Sequence, residues 1–311
     1  MSYPLYFNPK NSLNLYELAD KFDFLKKLYI KDKLPKVLML SGKKGSGKGT
    51  LINHLLFFIY DKENYDEKNY KILKKSSFYN QFLNNIYSNI IYLSGSNYKN
   101  ISIEDIRNLK KQIFQTSIVN QSRFIIFDDI ELFNINSLNA LLKIIEEPGK
   151  KNYFILINNN SKPLLDTIKS RCLEIKVILN DTQRIKIIES IAKSFNLNLI
   201  IDPKYSNLAP GNFIKFNHIC EENNILINED FLKNLTTLLN LYKKNKDVMF
   251  IEMILFLTNY YFSNLKSNNN ISREKKIESK RFVFENINKF FLYNLNQNAL
   301  LNAISSKINN E

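Results

Sequence analysis

The sequence predicts an α/β fold: a parallel sheet covered by helices on both faces, followed by a helical C-terminal third. Three observations predict it. Short apolar runs of strand length alternate with stretches of helical spacing through the first half. A glycine-rich loop falls where one such strand gives way to a helix. From about Leu179 onward the strand signal fades while helical spacing continues.

The strand candidates, in order, are Val37 to Leu40, Ile90 to Leu93, Phe124 to Phe127, Tyr153 to Ile157 and the alternating Leu173 to Val177. Between them lie the helix candidates Thr50 to Tyr60, Ile103 to Gln115, Ser137 to Glu147 and about Leu164 to Ser170. Ser102 with Asp105 reads as a capping box for the second helix. The third carries Leu138, Leu141, Leu142 and Ile145 on one face and is stopped by Pro148 and Gly149. Strands that alternate with helices in this way pair in parallel, because each crossover helix returns the chain to the same edge. The Asn- and Lys-rich stretch from Asp61 to Asn85 has no strong period and is predicted to be an insertion on the sheet's edge. The helical part is interrupted near Ser206 to Asn212 and by the polar run Ser267 to Arg273. Its aromatic-rich stretches, Phe250 to Phe262 and Phe282 to Tyr293, read as core and interface surface.

Composition narrows the class. With 311 residues, 44% of them hydrophobic and 24% charged, the chain can build two or three domains with real cores, which excludes global disorder. Cys172 and Cys220 lie far apart and the histidines are His54 and His218, so neither a disulfide framework nor a zinc site is expected. The apolar run Val248 to Phe262 contains Glu252, Thr258 and Asn259 and is too short to cross a bilayer, so it is predicted to be a buried helix. The start, MSYPLYFNPK, lacks the basic and apolar blocks of a signal peptide, and a cytoplasmic location is expected. A formal net charge of +14 favours a polyanionic partner such as nucleic acid. An abundance of Asn, Ile, Lys, Phe and Tyr is also what AT-rich coding produces, so the charge alone does not identify that partner.

Four of the seven glycines, Gly42, Gly45, Gly47 and Gly49, fall within Ser41-Gly42-Lys43-Lys44-Gly45-Ser46-Gly47-Lys48-Gly49-Thr50. Glycines let the backbone curl until several N–H groups point at phosphate oxygens, and the following helix adds its partial positive charge; Lys48 is placed to reach the outer phosphates. A tight turn without a ligand is the plainer alternative. The position after the lysine ordinarily supplies a hydroxyl to Mg²⁺, but here it is Gly49, and Thr50 is rotated by about 100° around the helix. The acidic partner follows the strand Phe124 to Phe127: Asp128 is a candidate to hold Mg²⁺ through water, and Asp129 stands where a catalytic glutamate would polarise the attacking water, one methylene short. Paired aspartates also simply begin turns.

Ser137 to Pro148, SLNALLKIIEEP, resembles the NALLK…LEEP segment of bacterial clamp-loader subunits of the AAA+ ATPase family, and Thr167 to Cys172, TIKSRC, resembles their T-I-x-S-R-C segment. Both follow the phosphate loop and the acidic strand in that family's order, and the delta-prime branch of the DNA polymerase III clamp loader is the nearest in pattern over roughly residues 10 to 215. The resemblance implies an AAA+ core at 1–178, a small helical lid at 179–224 and a helical collar or oligomerisation domain at 225–311. It implies a five-subunit ring with other clamp-loader subunits as partners. That ring opens the sliding clamp and places it on primed DNA, as part of a polymerase III holoenzyme, a nucleotidyltransferase complex. ATP with Mg²⁺ is the ligand implied for the degenerate phosphate loop, and zinc is not expected, because residues 60 to 90 lack the four cysteines of many relatives.

Residue roles carry over from the same resemblance. Arg171, in the S-R-C segment, corresponds to an arginine that reaches the γ-phosphate of ATP held by a neighbouring subunit; the plainer alternatives are a solvated cation or a pair with Glu174. Asn158 or Asn159 occupies the sensor position after its strand, and Asn212 stands where nucleotide-sensing relatives have an arginine. Gly49, Asp129 and Asn212 together imply weak ATP binding and little hydrolysis by this chain alone. Two other functions fit parts of the pattern. Gly47-Lys48-Gly49-Thr50 is also the form used by nucleotide kinases of the adenylate-kinase type, and an active motor subunit of the same ring would share every motif.

Overall fold

Residues 4–95, 104, 106, 108, 121–247, 249–264 and 273–309 are described by the computed structural model. Apart from Glu104, Ile106 and Asn108, which are helical, the predicted helix Ile103 to Gln115, with its capping box at Ser102 and Asp105, and the run 267–272 lie outside the described residues.

The five predicted strands all form, within a residue or two of their expected ends: β1 Val37–Ser41, β4 Ile90–Ser94, β5 Arg123–Asp128, β6 Asn152–Asn158 and β7 Leu173–Lys176. They make one sheet in the order β4-β5-β6-β1-β7, and every pairing is parallel. β6 lies between β1 and β5, so the loop after β6 is flanked by the phosphate loop on one side and the acidic pair on the other. Alternation along the strands divides the core in two. Leu38, Leu40, Phe124, Ile126, Tyr153, Ile155 and Ile157 face one cluster, with helices α1 Ala19–Ile30 and α2 Lys48–Tyr60. Val37, Met39, Ile125, Phe127, Phe154 and Leu156 face the other, with α4 Ile135–Ile145 and the short α5 Asp166–Lys169. Because both faces of the central strands are buried, β1, β5 and β6 read as continuous apolar runs, whereas the edge strand β7, largely exposed, alternates.

Local chemistry explains the ends of these helices. Asn134 caps α4, its side-chain oxygen accepting from Ser137 N at 2.9 Å. Gly149, at φ 71°, turns the chain beyond it.

The stretch predicted as an edge insertion is more deeply integrated than its composition suggests. It forms a small hairpin, β2 Tyr65–Asp66 with β3 Lys71–Ile72, and a helix, α3 Ser77–Leu83. Tyr65, Ile72, Phe78, Tyr79 and Phe82 join the core cluster of α2, with Phe57 in ring contact with Phe78, Tyr79 and Phe82. Ser76 caps α3 by accepting from Tyr79 N at 3.0 Å. The aromatic spacing at 78, 79 and 82 is a one-turn helical signal, too brief to stand out among the surrounding Asn and Lys.

The chain forms two compact units, Met1–Ile187 and Ile188–Glu311. Among its described residues the second unit has helices and connecting turns but no strand: the end of α6 Asp181–Phe195, then α7 Pro210–Glu222, α8 Phe231–Asn245, α9 Met249–Asn264, α10 Arg273–Tyr293 and α11 Gln297–Asn309. Phe216 packs edge-on against Phe256, and Phe231 stacks on Tyr261. The predicted buried apolar helix is α9, with Met253, Ile254 and Phe262 inaccessible to solvent. Among the described residues no helix is long and apolar enough to cross a membrane.

His54, fully buried in α2, ties three segments of the first unit together. Its Nε2–H donates to the Ser12 carbonyl at 3.2 Å, which leaves Nδ1 to accept from the Tyr65 hydroxyl at 3.1 Å. Burial pulls its pKa down to about 4, against the weaker upward pull of the Ser12 carbonyl. Between pH 6.5 and 4 the unfolded chain therefore binds a proton that the folded chain refuses, so stability contributed by this group is present above pH 6.5 and lost as pH falls through 4. We expect the loss to approach about 3 kcal/mol. Urea unfolding across this range should show a shallower acid loss in His54→Gln than in the parent, and identical slopes would refute the assignment.

Candidate functional site

Strand alignment gathers one set of residues at the C-terminal ends of β1, β4, β5 and β6, the place where open α/β sheets bind ligands. The loop after β1 has the curled backbone that its glycines permit: Gly42, Gly45 and Gly47 have φ of 152°, 85° and 91°. A Cβ at Gly42 would lie 2.4 Å from the Val177 carbonyl oxygen, so a side chain there is excluded by packing as well as by φ. Gly47 caps α2, and Lys48 begins it.

Lys48 is turned into its own loop. Its ammonium donates to the carbonyls of Gly42 at 2.6 Å and Lys43 at 2.8 Å, with Ser46 Oγ at 3.5 Å, and only 3% of the residue is exposed. Burial pulls its pKa down to about 8, opposed by the negative charges of Asp128, Glu131 and Asp129. An anion arriving in the loop would supply the missing counter-charge.

The acidic pair is equally committed. Asp128 accepts from the Tyr92 hydroxyl on one carboxylate oxygen and from Asp129 N at 2.9 Å on the other. Burial and the adjacent Asp129 charge raise its pKa, against the pull of those two hydrogen bonds. Asp129, buried and in the left-handed region at φ 51°, receives Lys44 Nζ at 3.2 Å and Asn159 Nδ2 at 2.6 Å. Asn159 is thus the asparagine of the pair that touches the acidic residues. Asn158 instead orders the turn, its side chain accepting from Asn160 N at 2.9 Å and its backbone oxygen accepting from Gly42 N at 3.2 Å.

Sequence reasoning missed Glu131. This buried carboxylate accepts from Asn159 N at 3.2 Å and from Ser161 Oγ at 2.8 Å, holding the loop after β6 against the short 3-10 turn after β5. A charged residue amid Ile130, Leu132 and Phe133 was the available signal, since such a residue is buried only when paired.

The residues present fit a phosphate but not a magnesium ion. The loop offers backbone curvature and an ammonium, as an anion requires. At the metal corner, a Cβ on Gly49 would meet the Pro9 ring at 3.3 Å, so a side chain there would point into the N-terminal segment. Asp128 is capped by Tyr92 and Asp129 is neutralised by Lys44. Thr50 sits half-buried one residue further along α2.

Arg171 is elsewhere. It lies two residues before β7, whose Lys176 pairs with Ser41 at the mouth of the phosphate loop, so a step of five residues, or roughly 16 Å of extended chain, separates it from that level. It therefore lies at the opposite end of the sheet from the chain's own phosphate loop. Its guanidinium meets Glu146, Nε at 2.8 Å and Nη2 at 2.7 Å from the same oxygen, while Nη1 donates to the Thr167 carbonyl at 3.0 Å. Glu174, the partner considered from sequence, accepts from Ser41 Oγ instead. The Arg171 and Glu146 side chains are 39% and 47% exposed, and an ion pair so open to solvent contributes only about 0–1 kcal/mol to stability. Asn212, buried in the second unit, donates from its amide to Glu252 at 2.7 Å and serves packing within that unit.

A parallel sheet with a glycine loop after β1, an acidic pair after β5 and an asparagine after β6 defines a P-loop protein of the AAA+ class. The model of the family described as DNA polymerase III, delta subunit, matches residues 18–180, just over half of the 311-residue chain. The chain belongs to that family, and its resemblance to delta-prime subunits of the clamp loader is thereby established. The delta-prime subunit of Buchnera aphidicola subsp. Baizongia pistaciae is 28% identical over 167 residues, 54% of this chain and 48% of that protein. The delta-prime subunit from subsp. Schizaphis graminum is 28% identical over 215 residues, 67% of this chain and 60% of that protein. The chain thus spans about half to three fifths of the length of these relatives. A gamma-subunit-related protein of Thermotoga maritima superposes with a TM-score of 0.45 at 19% identity, covering 93% of this chain and 98% of that one.

Two outcomes test the site. Lys48 Nζ should titrate near pH 8 by NMR, and inorganic pyrophosphate should raise that value; a titration above 10 in the free protein would remove the basis for a buried ammonium. Gly49→Ser restores a hydroxyl to the metal position, yet calorimetry should detect no gain in ATP affinity from Mg²⁺ over EDTA, because the new side chain faces Pro9.

Proposed function

We propose that this chain is a delta-prime-type stationary subunit of the DNA polymerase III clamp loader, which hydrolyses little ATP itself and donates Arg171 to ATP held by a neighbour. The observation that carries the reading is the separation of Arg171 from the chain's own phosphate loop across the length of the sheet, on an exposed edge. A cation so placed is of use to a nucleotide outside the chain. In the neighbour's site, water adds to the γ-phosphorus, the bond to the bridging oxygen breaks and ADP leaves with the electron pair; the guanidinium stabilises charge on the phosphoryl oxygens in flight.

The same reading makes the first unit a scaffold whose phosphate loop is held closed by Lys44, Tyr92 and Pro9, with ATP at most a weakly held ligand. The helices form a lid over 179–224 and a collar over 225–311 that joins the ring. The partners are the other clamp-loader subunits, the sliding clamp and, through the complex, primed DNA. The net charge of +14 suits that last partner.

Reconstitution with the partner subunits, followed by DNA-stimulated ATPase and clamp-loading assays, tests the proposal. Arg171→Ala should slow turnover at the neighbouring site by about 10³-fold or more, while Lys48→Ala should have little effect. The reverse ranking, or substantial ATPase from the isolated chain that Lys48→Ala abolishes, would favour an active motor subunit instead. Rapid phosphoryl transfer from ATP to a nucleoside monophosphate by the isolated chain would favour the kinase reading.

A further inference from the structure

We propose that Glu146 is the positioning residue for Arg171: it grips one edge of the guanidinium and leaves the remaining donors directed to a phosphate outside the chain. The inference rests on the arginine-donor reading above. Glu146 belongs to the EEP segment after α4 and Arg171 to the S-R-C segment before β7; they are 25 residues apart in sequence and meet at the N-terminal end of the sheet.

Five N–H bonds radiate from a guanidinium in a fixed plane. Nε–H donates to Glu146 Oε1, and Nη2, on the same edge, lies 2.7 Å from that oxygen as an ion pair. One Nη1–H goes to the Thr167 carbonyl, and Ser170 Oγ, at 3.5 Å from Nη1, is a marginal partner. The Nη2–H on the side away from Glu146 remains for a phosphate oxygen, and the Nη1–H held only by the marginal Ser170 contact can join it in a bidentate contact. A free arginine side chain samples many rotamers, and two anchors on different elements select one of them before any ligand arrives.

Helix stability does not account for a carboxylate at this place. Glu146 caps the C-terminal end of α4, where the helix's partial negative charge and the neighbouring Glu147 both disfavour another anion. Arg171 supplies the compensating cation. The pair also explains why the two segments occur together: one carries the finger, the other its support.

The test uses the reconstituted complex with partner subunits, varying ATP at saturating clamp and primed DNA. Glu146→Ala should lower kcat roughly 10- to 100-fold with KM for ATP unchanged, because a displaced cation is lost from the transition state rather than from ground-state binding. Glu146→Gln keeps an acceptor oxygen and should recover most of the rate. Glu146→Ala in the Arg171→Ala background should cause no further loss, and the melting temperature of the isolated chain should stay within a few degrees of the parent's in each variant. If Arg171→Ala is slow while Glu146→Ala is as fast as the parent, the anchor is refuted and the donor reading survives. If Arg171→Ala is itself without effect, the donor reading fails first. Faster turnover in Glu146→Ala would mean that the carboxylate restrains the arginine, which also overturns the proposal.

Discussion

Parallel pairing of five strands, with the central β1, β5 and β6 buried on both faces, is the constraint on which the rest depends. It makes the two ends of the sheet chemically different. The C-terminal ends of β1, β4, β5 and β6 bring the phosphate loop, Tyr92, the aspartate pair and Asn159 into one place. The N-terminal end of β7 sends Arg171 the other way, beside the end of α4. A shift of one residue in any pairing would exchange the two core faces, so burial holds the register on which this separation rests.

At the phosphate loop, charges that would otherwise await a ligand are answered from within the chain. Lys48 is held by loop carbonyls, Lys44 by Asp129, and Asp128 by the Tyr92 hydroxyl. Buried polar groups without partners are costly, and the loop resolves that cost internally. Any ligand must then offer more than the contacts it displaces. Arg171 presents the contrasting case: its ion pair is half open to solvent, so a phosphate oxygen can reach the guanidinium donors that Glu146 and Thr167 leave. One site favours closure and the other stays accessible, and burial is the difference between them.

Much of the core was legible along the chain because strand, loop and helix signals are local. The glycines at 42, 45, 47 and 49 and the acidic pair at 128 and 129 could be placed from spacing and order, and Arg171 from the resemblance of its segment to a known family. Less could be read where the signal is brief or depends on a distant partner. Phe78, Tyr79 and Phe82 occupy only seven helical residues, too few for a period to emerge from an Asn- and Lys-rich background. Glu131 could have drawn notice as a charge among apolar residues, but its partners, Asn159 and Ser161, lie beyond a whole helix and strand.

By itself, then, the order of residues determined the class of fold, the sites of the loop and acidic pair, and the family. Fold class and loop depend on periodicity and short-range turn chemistry, which operate over a few residues; the family was read from the resemblance of SLNALLKIIEEP and TIKSRC to known segments. Only the tertiary structure decided that Arg171 pairs with Glu146 rather than Glu174, that Asn159 rather than Asn158 reaches the aspartates, and that Pro9 covers Gly49. Each is a contact between segments whose separation along the chain says nothing of their distance in space. Packing of the two faces of the sheet brings them together, and a hydrogen bond forms only where that packing sets donor and acceptor within reach.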